Sequence, residues 1–327
     1  MENQIIENIK QEMVVYLNNQ QMEQLSDVLA HYLRGVTKTT VVEYKEHSAE
    51  SLIISFLAAK RVEGCSGKSL RYYESTLKNA MNKLRNPVKQ VTTDDLRRYL
   101  DEYYKNGNVS KVTIDNIRRI LSSFFSWLEE ENIIIKSPMR RIRKIKTGTT
   151  IKETYTDEAL EVMRDNCDSL RDLAIIDILA STGMRVGELV KLNRSDIDFD
   201  NRECIVFGKG DKERLVYFDA RTKVHLLKYL KEREDTNNAL FVSIQKPYNR
   251  LEISGVEIRL RNLGRRLKMT KVHPHKFRRT LATMAIDKGM PIEQVQQLLG
   301  HQSIETTLKY AMVNQANVKN SHKKYLS

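Results

Sequence analysis

The 327-residue chain has little of what staples, bends or hides a protein. Its three cysteines, Cys65, Cys167 and Cys204, are widely separated and form no CxxC pair. That disfavours both a disulfide framework and a zinc ribbon. Five prolines and 13 glycines are few for this length, and with abundant Leu, Lys, Glu and Arg they point to a mostly helical protein. No run approaches the ~18–20 uncharged apolar residues of a membrane span. The longest apolar stretches, such as Ser51–Ala59, fall far short of it. Residues 1–10 carry two acids and no apolar signal core, so the reading is a soluble, cytoplasmic protein with no membrane partner. Acidic excess is missing too: 55 Lys and Arg stand against 42 Asp and Glu, a net of +13. Such a balance points to a polyanion partner, nucleic acid first. Hydrophobic content of 40% spread along the chain excludes wholesale disorder, and the length favours two domains, each with its own core.

The charge is uneven. Residues 1–47 hold four basic and seven acidic residues, a net of −3, which leaves +16 for the rest. Apolar residues there recur at helical spacing (Ile5, Ile6, Ile9, Met13, then Leu25, Val28, Leu29, Tyr32, Leu33), which predicts two short amphipathic helices that pack on protein rather than on phosphates. Residues 48–147 read as a compact helical domain, with helices over Ala49–Ala59, Ser66–Leu84, Thr93–Tyr104 and Lys111–Glu131. In the last, Ile114, Ile117, Leu121, Phe124, Phe125 and Leu128 form a stripe near period 3.6 beside Trp127, the pattern of a core rather than a base-stacking platform. Pro138 is expected to stop the helix. From Lys136 to Lys146, six of eleven residues are basic and none is acidic, and Arg140, Arg141, Arg143, Lys144 and Lys146 are the candidate DNA-binding residues. The run reads as a connector crossing a nucleic-acid backbone, leading into a linker at 148–152.

Residues 153–327 read as a second, α+β domain ending in a C-terminal tail. Helices are expected at Leu170–Ser181, Val224–Glu234, Gly255–Leu267, His275–Lys288, Ile292–Leu299 and Ile304–Ala311. Strands Glu203–Phe207 and Arg214–Phe218 should pair across a Gly-Lys-Gly turn. Four separated pieces carry chemistry. Gly183 ends one helix and Arg185 starts the next, with Glu188 one turn on. Lys209 sits between two glycines at the hairpin tip. His275 and Arg278 share a helix face near a Pro-led N-terminus. Gly300 closes a helix, His301 heads the following loop, and Tyr310 lies nine residues on.

These stretches, TGMRVGEL, GKGDKER, HKFRR and LGHQSIETTLKY, resemble the tyrosine recombinase (phage integrase) family, especially its Xer-like bacterial branch, in both order and spacing. The likeness covers roughly residues 48–320. It implies a mainly α fold with a small β-sheet: a helical, SAM-like core-binding domain at 48–147 and an α+β catalytic domain at 153–327, after an acidic helical extension at 1–47. It also implies roles. Tyr310 would attack the scissile phosphate, giving a 3′-phosphotyrosyl link and a free 5′-hydroxyl. Arg185 and Arg278 would hold the non-bridging oxygens, His301 would donate to the same phosphate, Lys209 would protonate the departing oxygen, and His275 would help take the tyrosine proton. No ATP, metal or other cofactor is implied. The implied partner is double-stranded DNA with a specific site, bound by a homotetramer that passes through a Holliday junction, with an accessory protein or partner recombinase as a further possibility and nucleoid association as the setting. Arg279 departs from the resemblance, standing where Xer-like members often have a second His. Two other functions remain open at this point: type IB topoisomerase-like relaxation, and a catalytically silent DNA-binding regulator.

Overall fold

The computed structural model describes residues 2–13, 16–17, 19–33, 48–107, 109–148, 153–208, 213–308 and 310. The chain divides into two compact units, Met1–Gly148 and Thr149–Ser327. In the first, α1 (Glu2–Met13) and α2 (Asn19–Leu33) pack on each other. Four further helices follow: α3 (Ala49–Val62), α4 (Gly67–Leu84), α5 (Thr93–Asn106) and α6 (Lys111–Glu130). Each of these four starts at a hydroxyl: Ser48, Ser66, Thr92 and Ser110 accept hydrogen bonds from the amides three residues on. Such caps satisfy otherwise orphaned N–H groups and are worth about 1 kcal/mol each. At α5 the cap is reciprocal, with the Asp95 carboxylate accepting from the Thr92 amide at 3.0 Å.

The apolar stripe of α6 is the centre of this unit. Ile114, Ile117, Leu121, Phe124, Phe125 and Leu128 are all buried, and Phe124 meets Phe56 of α3 edge-to-face at 5.4 Å with Trp127 alongside. Pro138 does not end α6. The helix stops at Glu130, ahead of Asn132 in the left-handed region, and Pro138 opens a 3₁₀ turn capped by Ser137. The basic run is anchored at intervals along its length. Met139 is buried, and Ile142 and Ile145 pack on the same core at three-residue intervals. The Pro138 carbonyl accepts from Thr93 Oγ1 at 2.7 Å, and the Ile145 amide donates to Asp115 at 3.1 Å. The strand of chain is thereby strapped along the helices, with Arg141, Arg143 and Lys144 exposed between the anchors and Lys146 exposed just past the last of them.

The second unit begins with α7 (Asp157–Asp165) and α8 (Leu170–Thr182). Helix α8 is apolar on most of its circumference and forms the hub: Ala174, Ile175, Ile176, Ile178 and Leu179 are buried. Its one buried acid there, Asp177, is matched by Arg164 Nε at 2.6 Å and by His225 Nδ1. A single turn, α9 (Val186–Leu189), leads into an antiparallel sheet of β1 (Ile197–Asp198), β2 (Glu203–Phe207) and β3 (Glu213–Tyr217) in that order, with Cys204 opposite Val216 and Ile205 opposite Leu215. Cys204, Val206 and Val216 face the core, whereas Ile205, Phe207, Leu215 and Tyr217 are exposed. The remaining helices are α10 (Ala220–Glu232), α11 (Ile253–Arg266), α12 (Pro274–Asp287), α13 (Ile292–Leu299) and α14 (Ile304–Leu308). Helix α10 starts four residues before the sequence-based expectation because the Asp219 carboxylate caps the Thr222 amide at 2.8 Å. Strand β1, two residues long, is too short to leave a periodic signal in the sequence.

Candidate active site

The site is built where the ends of α8, α12 and α13 meet β3. Helix α8 terminates on Gly183 in the left-handed conformation (φ +60), and the Thr182 hydroxyl accepts from the Met184 amide at 3.2 Å. A Cβ at 183 would stand 2.7 Å from Leu281 Cδ2, so both conformation and space select glycine. This turn delivers Arg185 to the start of α9, where its amide donates to Glu188 Oε2 at 2.7 Å and its guanidinium to Oε1 at 2.9 Å. The Arg185 side chain stays 40% exposed, whereas that of Glu188 is 4% exposed.

Glu188 also receives a second, buried cation. Arg214 of β3 donates from both terminal nitrogens to the carboxylate, at 2.8 and 2.7 Å. Burial alone would raise the Glu188 pKa, but the bonds and charge of Arg214, with those of Arg185, outweigh it and hold the carboxyl below its usual range. Arg214 closes the GKGDKER stretch, but the resemblance assigns it no role. Strand alternation offers the signal, because it places a charged residue on the same inward face as Val216, where a partner is obligatory.

Arg278, on α12, is 1% exposed and is the largest fully buried side chain described. It donates to the Gly183 carbonyl at 2.8 Å and to the Leu299 carbonyl, so the C-terminal ends of α8 and α13 both turn their negative poles to it. Burial first, then the charges of Arg185 and Arg214, lower its pKa to about 10, against the raising influence of Glu188 and Tyr310. It therefore stays charged at neutral pH. His275, one turn earlier, is exposed. Partial desolvation lowers its pKa, followed by Arg278, His273, Arg279 and Arg185.

Helix α13 closes on Gly300 (φ +63), and His301 follows. The His301 ring holds Thr307 Oγ1 at 2.9 Å through Nδ1 and stacks on the Tyr310 ring at 5.7 Å and 24°. Burial, then the charges of Arg278, Arg185, Arg214 and His275, push its pKa down to about 4. Tyr310 is half-buried against the small cluster of Ala282, Val295 and Leu299, and its amide donates to the Thr307 carbonyl at 2.9 Å. Arg279 turns away and donates to the Glu153 carbonyl at 2.9 Å, while the Thr280 hydroxyl accepts from the Tyr155 amide at 2.9 Å, which pins the start of the unit to α12.

Of the six residues singled out for catalysis, five thus come together in one unit: Arg185, His275, Arg278, His301 and Tyr310. Lys209 lies outside the described residues, as do 149–152 of the expected linker and the tail from 311 onward. All five DNA-binding candidates are exposed on the first unit, Arg140 with an ion pair to Glu129 at 2.5 Å. Three guanidiniums stand against a single carboxylate, and the resulting excess of positive charge adds to burial in lowering the pKa of both histidines. Such a cluster is built to hold an anion, with a phenol stacked against one of its imidazoles. Among the described residues no three His, Cys, Asp or Glu side chains gather as a metal site, and no helix is long and apolar enough to cross a membrane.

Comparison with known proteins identifies the family. Residues 149–317 match the phage integrase family, and residues 52–135 match the phage integrase N-terminal SAM-like domain. Tyrosine recombinase XerC of Staphylococcus aureus (strain bovine RF122 / ET3-1) is 31% identical over 274 residues, covering 80% of this chain and 91% of that protein. Tyrosine recombinase XerC of Oceanobacillus iheyensis is 28% identical over 292 residues, covering 84% and 95%. In fold the chain is similar to the XerH site-specific recombinase bound to its palindromic difH substrate, with a TM-score of 0.67, 20% identity and coverage of 98% of this chain and 95% of that one. It is likewise similar to the Tn1549 transposon integrase in complex with circular intermediate DNA, with a TM-score of 0.68, 19% identity and coverage of 83% and 98%. With a family match over half of its length and an integrase-type N-terminal domain before it, the chain belongs to the phage integrase family, the tyrosine recombinases, which cut and rejoin DNA through a tyrosine.

Proposed function

We propose that this recombinase acts as a tetramer on two copies of a specific duplex site, exchanging strands one pair at a time through a Holliday junction. The observation that carries the chemistry is the cationic cluster around Tyr310, in which the buried Arg278 and the exposed Arg185 are oriented by protein carbonyls and by Glu188. In the first step the Tyr310 oxygen attacks phosphorus and the P–O5′ bond breaks. This leaves a 3′-phosphotyrosyl link and a 5′-hydroxyl. The phenolic proton passes to His275, and the leaving oxygen takes a proton from Lys209. Arg185 and Arg278 neutralise the non-bridging oxygens of the phosphorane, and His301 adds a third donor. The energy of the broken bond is kept in the new ester, so the religating 5′-hydroxyl needs no other energy source. Arg140, Arg141, Arg143, Lys144 and Lys146 contact DNA phosphates, with Arg140 contributing least because it is paired with Glu129. The tail beyond Tyr310 docks on a neighbouring protomer, and an accessory or partner recombinase sets the outcome on the nucleoid. Residues 1–47 serve protein packing, in keeping with their acidic character.

Total DNA from the source cell provides the test, because the true site is present in it whatever its sequence. After incubation and quenching in detergent, the wild type retains covalently bound fragments enriched for one sequence and bearing free 5′-hydroxyls at the cut. Tyr310→Phe retains none. Absence of adducts from the wild type, or adducts scattered without sequence preference, would overturn the reading.

A further inference from the structure

One buried cation without a role so far touches three parts of the site at once. Arg214 sends both terminal nitrogens to Glu188 and its Nε to the Leu298 carbonyl at 3.3 Å. It lies 11% exposed. Gly300 is seated so closely on it that a Cβ there would stand 2.7 Å from Arg214 Cδ. The next carbonyl along α13, that of Leu299, is the one held by Arg278. Arg214 therefore joins β3 to the start of α9 through Glu188, and to the end of α13 that carries His301.

The charge count gives this placement a consequence. Arg185 alone with Glu188 would be a closed, neutral pair and a poor holder of phosphate. A bidentate guanidinium on the far side of Glu188 changes that, because three groups then share a net charge of +1. Arg214 is buried with its donors directed to Glu188 and Leu298, so the surplus resides on Arg185, the exposed member. We propose that Arg214 is a positioning residue for DNA cleavage: it neutralises Glu188 from the buried side and so leaves the charge and the free donors of Arg185 to the scissile phosphate. This rests on the cleavage chemistry proposed above.

The test uses the full chain and a nicked suicide duplex carrying the site recovered from cellular DNA, with single-turnover adduct formation and duplex affinity measured in parallel. Arg214→Gln should slow cleavage at least tenfold while affinity changes less than about threefold, since one of many phosphate contacts is altered. Arg214→Lys, which keeps the charge, should be at least threefold faster than Arg214→Gln. The decisive variant is Arg214→Gln combined with Glu188→Gln: removing the carboxylate frees Arg185 again, and cleavage should recover at least threefold over Arg214→Gln. A purely structural role makes the double variant no faster than the single. That result overturns the proposal, as does wild-type cleavage by Arg214→Gln. Should Arg214→Gln lose its cooperative thermal transition, the comparison is Arg214→Met, which also removes the charge, with and without Glu188→Gln, read the same way. A wild type that forms no adduct refutes the cleavage chemistry itself, a separate outcome.

Discussion

Binding of a phosphate at this site should take up protons, and His301 is the group to watch. In the free protein its pKa is about 4, because burial and then Arg278, Arg185, Arg214 and His275 oppose a further positive charge. A scissile phosphate offsets part of that positive charge, so the pKa rises in the complex. Between the free and bound values, the complex holds a proton that the free protein does not, and affinity therefore increases as pH falls through that window. Returning the ring from about 4 to its ordinary value near 6.5 corresponds to about 3.4 kcal/mol at full strength. The ring is partly exposed, and solvent screening reduces this to about 1–2 kcal/mol, a gain of roughly 5–30-fold in affinity. The measurement is duplex binding by Tyr310→Phe, which cannot cleave, at fixed salt from pH 8 to pH 5, with proton uptake read by calorimetry in buffers of different ionisation enthalpy. His275 is also lowered by burial and neighbouring cations and adds its own uptake, so the diagnostic quantity is the difference from the same protein carrying His301→Gln. Equal uptake with and without His301 would refute the argument that the cationic cluster surrounds the phosphate.

Other perturbations probe the same geometry. Gly183→Ala places a side chain at φ +60 and 2.7 Å from Leu281, and should destabilise the catalytic unit by about 1–2 kcal/mol in urea unfolding while shifting the carbonyl that Arg278 holds. Replacing Arg141, Arg143, Lys144 and Lys146 together with Gln should lower the slope of log affinity against log salt by about 0.9 for each phosphate no longer neutralised, whereas Arg140→Gln, already paired with Glu129, should change it little. Deleting residues 1–47 leaves Ser48 to cap α3, so DNA affinity should stay within about twofold, measured by titration of the recovered duplex; a clear loss with unchanged oligomeric state would refute their assignment to protein packing.

Local signals are the legible ones in this chain. The hydroxyl before each of α3 to α6, the 3.6-residue stripe of α6 and the glycines that end α8 and α13 are readable because a cap or a turn depends on residues a few positions apart. Pro138 and the basic run are legible only in part. The three-residue spacing of Met139, Ile142 and Ile145 carries the anchoring, and it is hidden among the lysines and arginines between them. Four of the catalytic candidates stand out by motif and spacing at helix ends, and Tyr310 by its distance from His301. Arg214 does not, because its partner Glu188 lies 26 residues away and its third contact 84 residues away.

The sequence by itself determined the helices, the hairpin, the excess of positive charge and the residue types able to hold and attack a phosphate, since all of these depend on neighbours along the chain. Tertiary structure alone decided which cations are spent and which are available. Arg278 is buried between two helix ends, Arg214 is paired with Glu188, Arg140 with Glu129, and Arg185 keeps an exposed face. The reason is that burial and electrostatic pairing sum over groups brought close in space from distant segments. The same formal charge therefore becomes a structural pin in one place and a candidate phosphate ligand in another.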